Sequence, residues 1–411
     1  MKSAAGIPAT AAVVTVGTEL VSGVAVDTNT AEIALALAGA QVEVREAISI
    51  GDDIDLLADT LRRLVASCDL VVVTGGLGPT HDDITREAAC EALGIVCARD
   101  ATVVERLMAS VFRHTDPRAQ ERLLVQADIL EGARVIPAVK GTAPGQVVPT
   151  PRGSLVLLPG PPREMRPMLM SLVAEFAGTA PAPFVIRTSG MAESDVQLVA
   201  SDVLGDREDI RLTVLAKLGD VRVILFGRGA TASGLRKAGE AIASRLGDAV
   251  YSTDGSTLQE TVLALARAQG ATIALAESCT GGLVAAALTE IPGASDVFLG
   301  GVVSYADGVK SGVLGVPEDV LTRHGAVSEE VARSMAEGVR HIAGATFACA
   351  ITGIAGPGGG STGKPVGTVW FSLAAPSGTT AFKRAFPGDR DAVRERSTVT
   401  ALDTLRHTLA G

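Results

Sequence analysis

The residues best suited to chemistry lie where an apolar run meets a glycine-rich turn. Residues 276–282 read Ala-Glu-Ser-Cys-Thr-Gly-Gly, between residues 271–275, which predict a buried strand, and residues 283–288, which predict a helix. A hydroxyl on such a turn is held clear of the sheet, and the free N–H groups at the start of the helix can stabilise an oxyanion or bind a phosphate. Ser278 is therefore a candidate nucleophile, although a serine at this position also commonly caps a helix.

A serine nucleophile needs a base, and a second segment offers one. Residues 304–310 read Ser-Tyr-Ala-Asp-Gly-Val-Lys, which sets a phenol and an amine five residues apart. Histidine is absent from both segments, so Lys310, with its pKa lowered by burial, is the available base. Cys279 is the alternative nucleophile because a thiol is intrinsically more reactive. No histidine stands near it, however, and packing in a core is the commoner fate of a free cysteine.

A third segment strengthens the interpretation of this region as a ligand site. Residues 350–360 again end a strand-like run in a glycine-rich loop. Three strand-end loops in one domain are how an α/β sheet builds a ligand crevice.

These segments resemble the C-terminal domain of the CinA family, the nicotinamide mononucleotide deamidase. The matching stretches are Glu-Ser-Cys-Thr-Gly-Gly at 277–282, Gly-Gly-Val-Val-Ser-Tyr at 300–305 with Lys310, Gly-Ala-Val-Ser at 325–328, Thr-Gly-Ile-Ala-Gly-Pro-Gly-Gly at 352–359 and Lys-Pro-Val-Gly-Thr at 364–368. The resemblance implies hydrolysis of the carboxamide of nicotinamide mononucleotide to nicotinic acid mononucleotide and ammonia, without a cofactor. The segment 304–308 is less polar than in many relatives, but the tyrosine-to-lysine spacing is kept.

The resemblance also implies roles for individual residues. Ser278 would be the nucleophile, Lys310 its base, and Tyr305 and Ser295 supporting hydroxyls. The implied substrate-binding residues are Thr280, Gly281, Gly282, Thr352, Gly353, Gly356 and Gly358.

Composition and charge bound the class of protein. The 411 residues suggest two or three domains, and apolar residues make up 47% of the chain while aromatic residues make up only 3%. No apolar run reaches the ~18 residues that a membrane helix requires. The net charge of −10 argues against a protein held on nucleic acid, so loops and a few arginines would bind an anionic substrate. Five scattered cysteines without CxxC spacing indicate neither a disulfide framework nor a zinc site and favour the cytoplasm.

The pattern along the chain predicts an α/β protein of three domains. Residues 1–176 alternate strands (11–16, 42–48, 70–74 and 154–158) with helices (30–38, 54–66 and 85–93), which favours a mostly parallel sheet. Residues 184–250 predict a small α+β domain, and residues 251–411 the deamidase-like α/β domain. Residues 177–183 and 251–257 are the predicted linkers. The opening residues predict a short tail before the first strand rather than a signal peptide.

The N-terminal domain carries a second candidate site. The glycine-rich turn at 74–78 can wrap its amides around a phosphate, and Asp82 with Asp83 can present oxygen ligands to a divalent ion. The alternative is that these aspartates simply occupy the first turn of the following helix, where the dipole favours acidic residues.

These segments resemble the N-terminal domain of the CinA family, which shares its fold with molybdopterin-binding proteins. The matching stretches are Thr-Gly-Gly-Leu-Gly-Pro-Thr at 74–80 before Asp-Asp, Gly-Thr-Ala-Pro-Gly at 141–145 and the Leu-Pro-Gly loop at 158–160. The resemblance implies ADP-ribose pyrophosphatase activity with a divalent metal (Mg, Co or Mn) and K⁺. The candidate metal ligands are Asp82, Asp83 and Asp27, followed by Asn29 and Glu164. The candidate substrate-binding residues are Thr74, Gly75, Gly76, Gly78 and Thr80.

Two further features complete this prediction. His81 stands where relatives usually have lysine, and a neutral imidazole offers a phosphate less charge. Residues 184–250 resemble the family's small KH-like domain, but no Gly-x-x-Gly loop with basic flanks marks an RNA binder.

The sequence therefore predicts a cytoplasmic, homodimeric, bifunctional enzyme of pyridine nucleotide recycling that acts on nicotinamide mononucleotide and ADP-ribose, without nucleic acid or membrane. One alternative is that the N-terminal domain only binds a pterin or nucleotide as a sensor. Another is that the middle domain recruits nucleic acid, which the acidic balance opposes.

Overall fold

The computed structural model describes residues 8–111, 117–176, 181–217, 219–227 and 229–411. The chain divides into two units, Met1–Ala182 and Pro183–Gly411. The predicted linker at 177–183 lies partly outside the described residues, and so does the predicted tail before the first strand. No helix among the described residues has both the length and the apolar character needed to cross a membrane.

The first unit is built on a six-stranded sheet with helices on both faces. Its elements in chain order are β1 (Thr10–Val16), α1 (Thr18–Val21), α2 (Asn29–Gly39), β2 (Glu43–Ile50), α3 (Ile54–Ser67), β3 (Leu70–Thr74), α4 (Thr85–Leu93), β4 (Cys97–Arg99), α5 (Ala101–Val111), α6 (Pro117–Leu124), β5 (Asp128–Leu130), β6 (Arg134–Ile136), β7 (Gly145–Pro149), β8 (Ser154–Leu158) and α7 (Pro162–Phe176).

The strand order of this sheet is β2-β1-β3-β8-β7-β6. The pairs β1 with β2, β1 with β3, and β3 with β8 are parallel, whereas β7 pairs antiparallel with β8 and β6 with β7. Strands β1 and β3 are buried along their whole length, as near-continuous apolar runs in parallel sheets usually are. Helices α3 and α4 cover one face, and α2 and α7 cover the other. Strands β4 and β5 form a separate antiparallel pair.

The second unit contains two sheets. Its elements in chain order are β9 (Phe184–Ser189), α8 (Glu193–Leu204), β10 (Ile210–Lys217), β11 (Asp220–Gly227), α9 (Ala232–Leu246), β12 (Val250–Ser252), α10 (Leu258–Gln269), β13 (Ile273–Glu277), α11 (Leu283–Thr289), β14 (Phe298–Val303), α12 (Asp307–Gly312), α13 (Glu318–His324), α14 (Glu329–Ala343), β15 (Phe347–Gly353), β16 (Thr368–Ala375), β17 (Gly378–Ala385) and α15 (Arg390–Ala410).

The first of these sheets is antiparallel, with the order β10-β11-β9-β12, and packs against α8 and α9. The second has the order β14-β13-β15-β16-β17. Strands β14, β13 and β15 are parallel neighbours, and β16 and β17 are antiparallel. Helices α10, α11 and α15 cover one face of this sheet, and α14 covers the other.

The predicted α/β fold class is confirmed, with one local correction to the linker. Residues Val250–Ser252 form β12, which pairs with β9. The linker predicted at 251–257 therefore begins within a strand, because two apolar or aromatic residues before the polar run are enough to complete the sheet edge. The division into domains at 1–176, 184–250 and 251–411 stays a prediction.

Candidate active sites in the two units

Three neighbouring strands of the second unit end side by side, and each is followed by a candidate site residue. The backbone N–H of Ser278 donates to the Ile351 carbonyl at 2.9 Å, and that of Ser304 donates to the Glu277 carbonyl at 2.7 Å. Ser278 after β13, Ser304 after β14 and Thr352 near the end of β15 thus lie at one edge of the sheet. The structure brings together the three loops that the sequence singled out.

Glu277, the last residue of β13, is buried and caps the helix that follows. Its carboxylate accepts hydrogen bonds from the backbone N–H groups of Gly282 (2.9 Å), Val284 (3.2 Å) and Ala285 (2.9 Å). The N–H of Gly281 in turn donates to the Ser278 carbonyl at 3.1 Å. The expectation that the start of this helix offers free N–H groups to an oxyanion is therefore wrong, because a carboxylate of the same chain already occupies them.

Another loop at the same edge retains unpaired amides. Within the described residues, the backbone N–H groups of Gly358, Gly359 and Gly360 have no acceptor. The loop is solvent-exposed at these residues. These groups are the better candidates for holding a negatively charged oxygen.

Lys310 lies at this edge, and its amine is hydrogen-bonded to groups other than Ser278. Only 1% of its surface is exposed. Its amine donates to the carbonyls of Ser304 (2.9 Å) and Tyr305 (3.3 Å) and to the Asp307 carboxylate (3.3 Å). No hydrogen bond joins it to the Ser278 hydroxyl. Three oxygen acceptors satisfy the three donors of an ammonium group, so a base role for Lys310 requires this arrangement to change.

Two arginines from the last helix reach the same loops. Arg390 donates to the Tyr305 hydroxyl at 2.8 Å and to the Gly356 carbonyl at 2.7 Å. Arg394, one helical turn later, donates to the Thr280 carbonyl at 3.1 Å. Neither residue was predicted from the sequence. The available signal was their spacing of four, which on a helix places both guanidinium groups on one face.

Four other predicted residues lie in the strand-end segments that surround the site. Thr280 is buried, and its hydroxyl has no hydrogen-bond partner. The Thr352 hydroxyl donates to the Ala326 carbonyl at 2.8 Å. Gly281 and Gly282 have φ angles of 63° and 99°, which favour glycine, so they shape the turn after Ser278.

Ser295 does not belong to this site. It lies in the short turn Ala294–Asp296 before β14, whereas the other candidates follow the carboxyl ends of the strands. At ~3.3 Å per residue, the length of β14 separates it from Ser304 by roughly 20 Å. Its predicted role as a supporting hydroxyl is corrected for this reason.

Cys279 packs in the core, as the sequence analysis favoured. It belongs to the buried cluster beneath α11, and burial raises the pKa of its thiol to about 12. A Cβ at Gly353 would lie 3.1 Å from its sulfur, so glycine there leaves room for the thiol. A buried thiol that stays protonated near neutral pH is a poor nucleophile.

The first unit contains a cavity of about 510 Å³ at the carboxyl ends of its parallel strands. Its lining comes from all the strand-end segments identified in the sequence; the lining residues are Val16, Glu19, Gly75, Gly76, Leu77, Gly78, Asp83, Gln126, Thr142, Ala143, Pro159, Gly160, Pro161 and Glu164. Gly75 has a φ of 104°, and a Cβ there would lie 2.3 Å from the Val16 carbonyl oxygen. Only glycine allows this close approach of two strand ends.

The glycine-rich turn of this cavity is held by side chains around it. Arg86 donates to the carbonyls of Leu77 (2.8 Å) and Gly78 (2.9 Å), and the Thr85 hydroxyl donates to the Gly75 carbonyl at 2.8 Å. The backbone N–H groups of Gly76 and Leu77 have no acceptor within the described residues. The turn thus keeps two amide donors for a ligand, as the predicted phosphate loop requires.

Thr74 and Asn29 join two of the loops that line this cavity. The Thr74 hydroxyl donates to the Pro159 carbonyl at 2.9 Å. The Asn29 amide donates to the Gly160 carbonyl at 2.7 Å and to the Thr74 hydroxyl at 3.2 Å. Both side chains therefore position the loops.

The three candidate metal ligands are not brought together. Asp83 accepts hydrogen bonds from the Gly78 N–H (2.6 Å) and from the N–H and hydroxyl of Thr80 (2.8 and 2.5 Å). Asp82 lies on the surface beside the exposed His81. Within the described ranges, no three His, Cys, Asp or Glu side chains come close enough to hold a metal ion.

Asp27 lines a smaller neighbouring cavity of about 240 Å³. Its carboxylate accepts from the hydroxyls of Thr15 (2.9 Å) and Thr30 (2.6 Å) and from the Thr30 N–H (3.0 Å). Burial acts to raise the pKa of Asp27, but these hydrogen bonds, with one from Ser49, outweigh burial and lower it. Asp27 therefore stays ionised and ties β1 to the start of α2.

The larger cavity offers carboxylates that suit a metal ion only if a bound ligand supplies the rest of its coordination. Glu19, Asp83 and Glu164 all line it. Magnesium is commonly held by one or two carboxylates, with phosphate oxygens and water completing its shell. The residues present thus suit an ion that is held jointly with a phosphorylated ligand.

Comparison with known proteins gives one family match in each unit. Residues 12–178 match the family described as "Probable molybdopterin binding domain", and residues 255–409 match the "CinA C-terminal domain". A molybdopterin-binding-like domain followed by a CinA C-terminal domain is the class to which these matches point. The chain belongs to the CinA family.

Two relatives match this chain over nearly its full length, and one solved structure matches part of it. The "Putative competence-damage inducible protein" of Symbiobacterium thermophilum is 42% identical and spans 98% of this chain and 99% of its own. The "CinA-like protein" of Acidobacterium capsulatum is 37% identical over 97% and 99%. The crystal structure of competence/damage inducible protein CihA from Agrobacterium tumefaciens is 42% identical, with a TM-score of 0.36, and covers 38% of this chain and 94% of that one.

Proposed function

We propose that the second unit hydrolyses the carboxamide of nicotinamide mononucleotide to nicotinic acid mononucleotide and ammonia. The observation that carries the proposal is the convergence of the Ser278, Tyr305 and Gly356 loops with Arg390 and Arg394. One edge of the sheet thus presents a hydroxyl nucleophile, unpaired backbone amides and two guanidinium groups. A phosphorylated amide substrate needs these three features.

The proposed reaction begins at Ser278. Its hydroxyl proton passes to the base as its oxygen attacks the carboxamide carbon, and the carbonyl oxygen becomes an oxyanion. The base then gives that proton to the amide nitrogen, and collapse of the intermediate expels ammonia. Water then releases the acid from the serine. The amides of Gly358 to Gly360 are the candidate donors to the oxyanion, because those at the start of α11 are occupied by Glu277.

Lys310 has two possible contributions to this reaction. As a base, it would have to lose a proton and turn from its carbonyl acceptors toward Ser278. As an ammonium group, it would fix the Ser304 and Tyr305 backbone and add positive charge beside the developing oxyanion. We propose the base role. Substitution of Lys310 by arginine separates the two contributions, because arginine keeps the positive charge but cannot release a proton near neutral pH.

The substrate phosphate is assigned to the two arginines. Arg390 is linked to Tyr305 and Gly356, and Arg394 to Thr280, so both guanidinium groups border the nucleophile loop and have further donors to offer. Arginine binds phosphate through paired, charge-assisted hydrogen bonds. The exposed Tyr305 would then pack beside the bound nucleotide.

For the first unit we propose metal-dependent cleavage of ADP-ribose to AMP and ribose 5-phosphate. The support is the glycine turn with two unpaired amides in a cavity lined by Glu19, Asp83 and Glu164. A bound divalent ion would neutralise the diphosphate and activate water. Without a cation, three carboxylates would repel the substrate.

The competing function for the first unit is binding of a pterin or nucleotide without cleavage. The match to a molybdopterin-binding domain favours this alternative specifically. Mass-spectrometric product analysis separates the two, because AMP and ribose 5-phosphate appear only if the diphosphate is cleaved.

The same experiment tests both proposed activities of the full-length protein. Nicotinamide mononucleotide and ADP-ribose are supplied separately, with and without added divalent metal, and ammonia is measured in parallel. Ammonia release that is abolished by Ser278→Ala would support the first proposal. No ammonia from the unmodified protein would overturn it.

A further inference from the structure

Two cysteines of the first unit face each other outside the cavity. Cys90 lies near the end of α4 and Cys97 begins β4, and their sulfur atoms are 2.9 Å apart. Both are half-buried and both are free thiols, whereas Cys68, Cys279 and Cys349 are buried. Sulfur atoms that are not bonded normally stay farther apart, so the backbone already holds this pair close to bonding distance.

The elements carrying the two thiols are anchored independently. Cys90 belongs to the helix whose Thr85 and Arg86 hold the glycine turn through Gly75, Leu77 and Gly78. Cys97 pairs with Leu130 in the separate β4–β5 ladder. A covalent link between the two sulfurs would therefore add a bond between the helix that supports the cavity and the β4–β5 pair, which already pack in one core.

We propose that Cys90 and Cys97 form a reversible intramolecular disulfide when the protein meets a peroxide or a low-molecular-weight disulfide. With hydrogen peroxide, the Cys90 thiolate attacks the O–O bond to give a sulfenic acid and one water. The Cys97 sulfur then attacks the Cys90 sulfur, and the hydroxyl leaves with the Cys97 proton as a second water. Two thiols are oxidised by two electrons, and one peroxide is reduced.

Burial and the hydrogen bond with Cys90 raise the pKa of the Cys97 thiol to about 12, and the nearby Arg86 guanidinium partly opposes this effect. The two thiols share one contact, and the reverse order of attack gives the same disulfide. The closing of an eight-residue loop also restricts the unfolded chain, so the oxidised first unit should be the more stable form.

The test uses the full-length protein and does not depend on either proposed activity. The reduced protein is exposed to hydrogen peroxide or oxidised glutathione, and its intact mass and its thiols in denaturant are measured. We expect a mass loss of about 2 Da and a fall from five titratable thiols, the number in the chain, to three. Peptide mapping should join residues 90 and 97, dithiothreitol should restore five thiols, and the thermal midpoint of the oxidised form should rise by about 5 °C.

Matched variants sharpen this result. Cys90→Ser and Cys97→Ser should each keep their mass or gain oxygen without losing 2 Da, whereas Cys68→Ser should still lose 2 Da. The proposal is overturned if the unmodified protein keeps five thiols, if its cysteines gain oxygen instead of pairing, or if a linked peptide contains any other cysteine. The measurement on unmodified protein decides even where a variant fails to fold.

Discussion

The two candidate sites share an architecture and differ in charge. Each lies where parallel strands end in glycine-rich loops, the position at which open α/β sheets bind ligands. The site of the second unit has Lys310, Arg390 and Arg394 around it, and its one buried carboxylate, Glu277, is occupied by backbone amides. The cavity of the first unit is lined by Glu19, Asp83 and Glu164, of which Asp83 is likewise occupied by backbone amides, and the neighbouring Arg86 is occupied by carbonyls.

Under the proposed functions, this difference in lining would suit the two sites to different ligands. A site with built-in cations can bind a phosphate directly. A cavity lined by carboxylates has to acquire a cation before a diphosphate can enter, because like charges within a few ångströms repel strongly.

The largest expected effect is the loss of ammonia release in Ser278→Ala. Removal of a nucleophile should lower turnover of nicotinamide mononucleotide by at least about 1,000-fold, while cleavage of ADP-ribose should be unchanged. Cys279→Ala is the matched neighbour and should keep most activity, because its thiol is packed in the core. Retained ammonia release in Ser278→Ala together with its loss in Cys279→Ala would transfer the nucleophile role to the thiol.

Lys310 provides the next test, which distinguishes a base from a fixed charge. Lys310→Met should lower turnover by roughly 100- to 10,000-fold under either role. Lys310→Arg keeps the charge but cannot release a proton near neutral pH. Turnover should therefore stay low in Lys310→Arg if the amine is a base and recover substantially if the ammonium charge is what matters. If Lys310 is the base, the fall in kcat at low pH that reports its protonation should disappear in Lys310→Arg. If Lys310 acts only as a fixed charge, the dependence of kcat on pH should stay the same.

Removal of metal should separate the two units. A chelator should lower ADP-ribose cleavage by roughly 100-fold or more, since a metal contributes several kcal/mol to phosphoryl chemistry, and should spare ammonia release. Asp83→Asn should reproduce this split more strongly than Asp82→Asn, because Asp83 lines the cavity whereas Asp82 lies on the surface.

Chelator sensitivity of both reactions would remove the distinction between the sites. So would full ADP-ribose cleavage by Asp83→Asn and Asp82→Asn alike. Circular dichroism serves as the control for Asp83→Asn, because the same carboxylate also holds Gly78 and Thr80.

A smaller effect is expected for Arg394→Lys. Lysine keeps the charge but loses the paired donors, so KM for nicotinamide mononucleotide should rise about 10-fold, with a lesser change in kcat. Nicotinamide riboside, which lacks the phosphate, should be processed equally by both proteins. An equal loss on both substrates would show that Arg394 supports the loop through Thr280 and does not bind phosphate.

The smallest expected effect concerns the stability of the first unit. Asp27→Asn should lower its free energy of unfolding by about 1–2 kcal/mol near neutral pH, because hydrogen bonds to a carboxylate are lost. The pKa of Asp27 is lower in the folded protein than its ordinary value of 3.8. Its contribution is therefore complete above about pH 4 and disappears as the pH falls through the folded pKa. Urea titrations of both proteins should show the full difference at pH 7 and a difference that shrinks as the pH is lowered stepwise below 4.

The sequence was most informative where a site is built from contiguous residues. The glycine turns after β3 and β13 were predictable because strand, turn and helix signals occur within about fifteen residues of one another. The apolar runs of β3 and β8 were predicted to the residue. Local steric and hydrophobic patterns determine these features, so they depend little on tertiary packing.

Long-range partners could not be read in the same way. Glu277 was visible in the motif, but its use as a helix cap depends on how β13 meets α11 in space. Arg390 joins Tyr305 only after α15 packs across the sheet. Ser295 was assigned a role only through the family resemblance, and the sequence did not show that it precedes β14, at the opposite end of the strands from Ser278. Asp83 was predicted to present its carboxylate to a metal ion, whereas this carboxylate accepts a hydrogen bond from the Gly78 N–H of its own turn.

The position of helix α15 late in the chain determines when the site of the second unit can be completed during synthesis. Translation proceeds from the amino end, so the Ser278 turn leaves the ribosome long before the segment that begins at Arg390. Until that segment emerges, the nascent chain has a serine turn without its guanidinium partners. Under the proposed function, a partly synthesised or carboxyl-terminally trimmed chain would carry the nucleophile but could not recruit its anionic substrate, so the last helix also decides when activity begins.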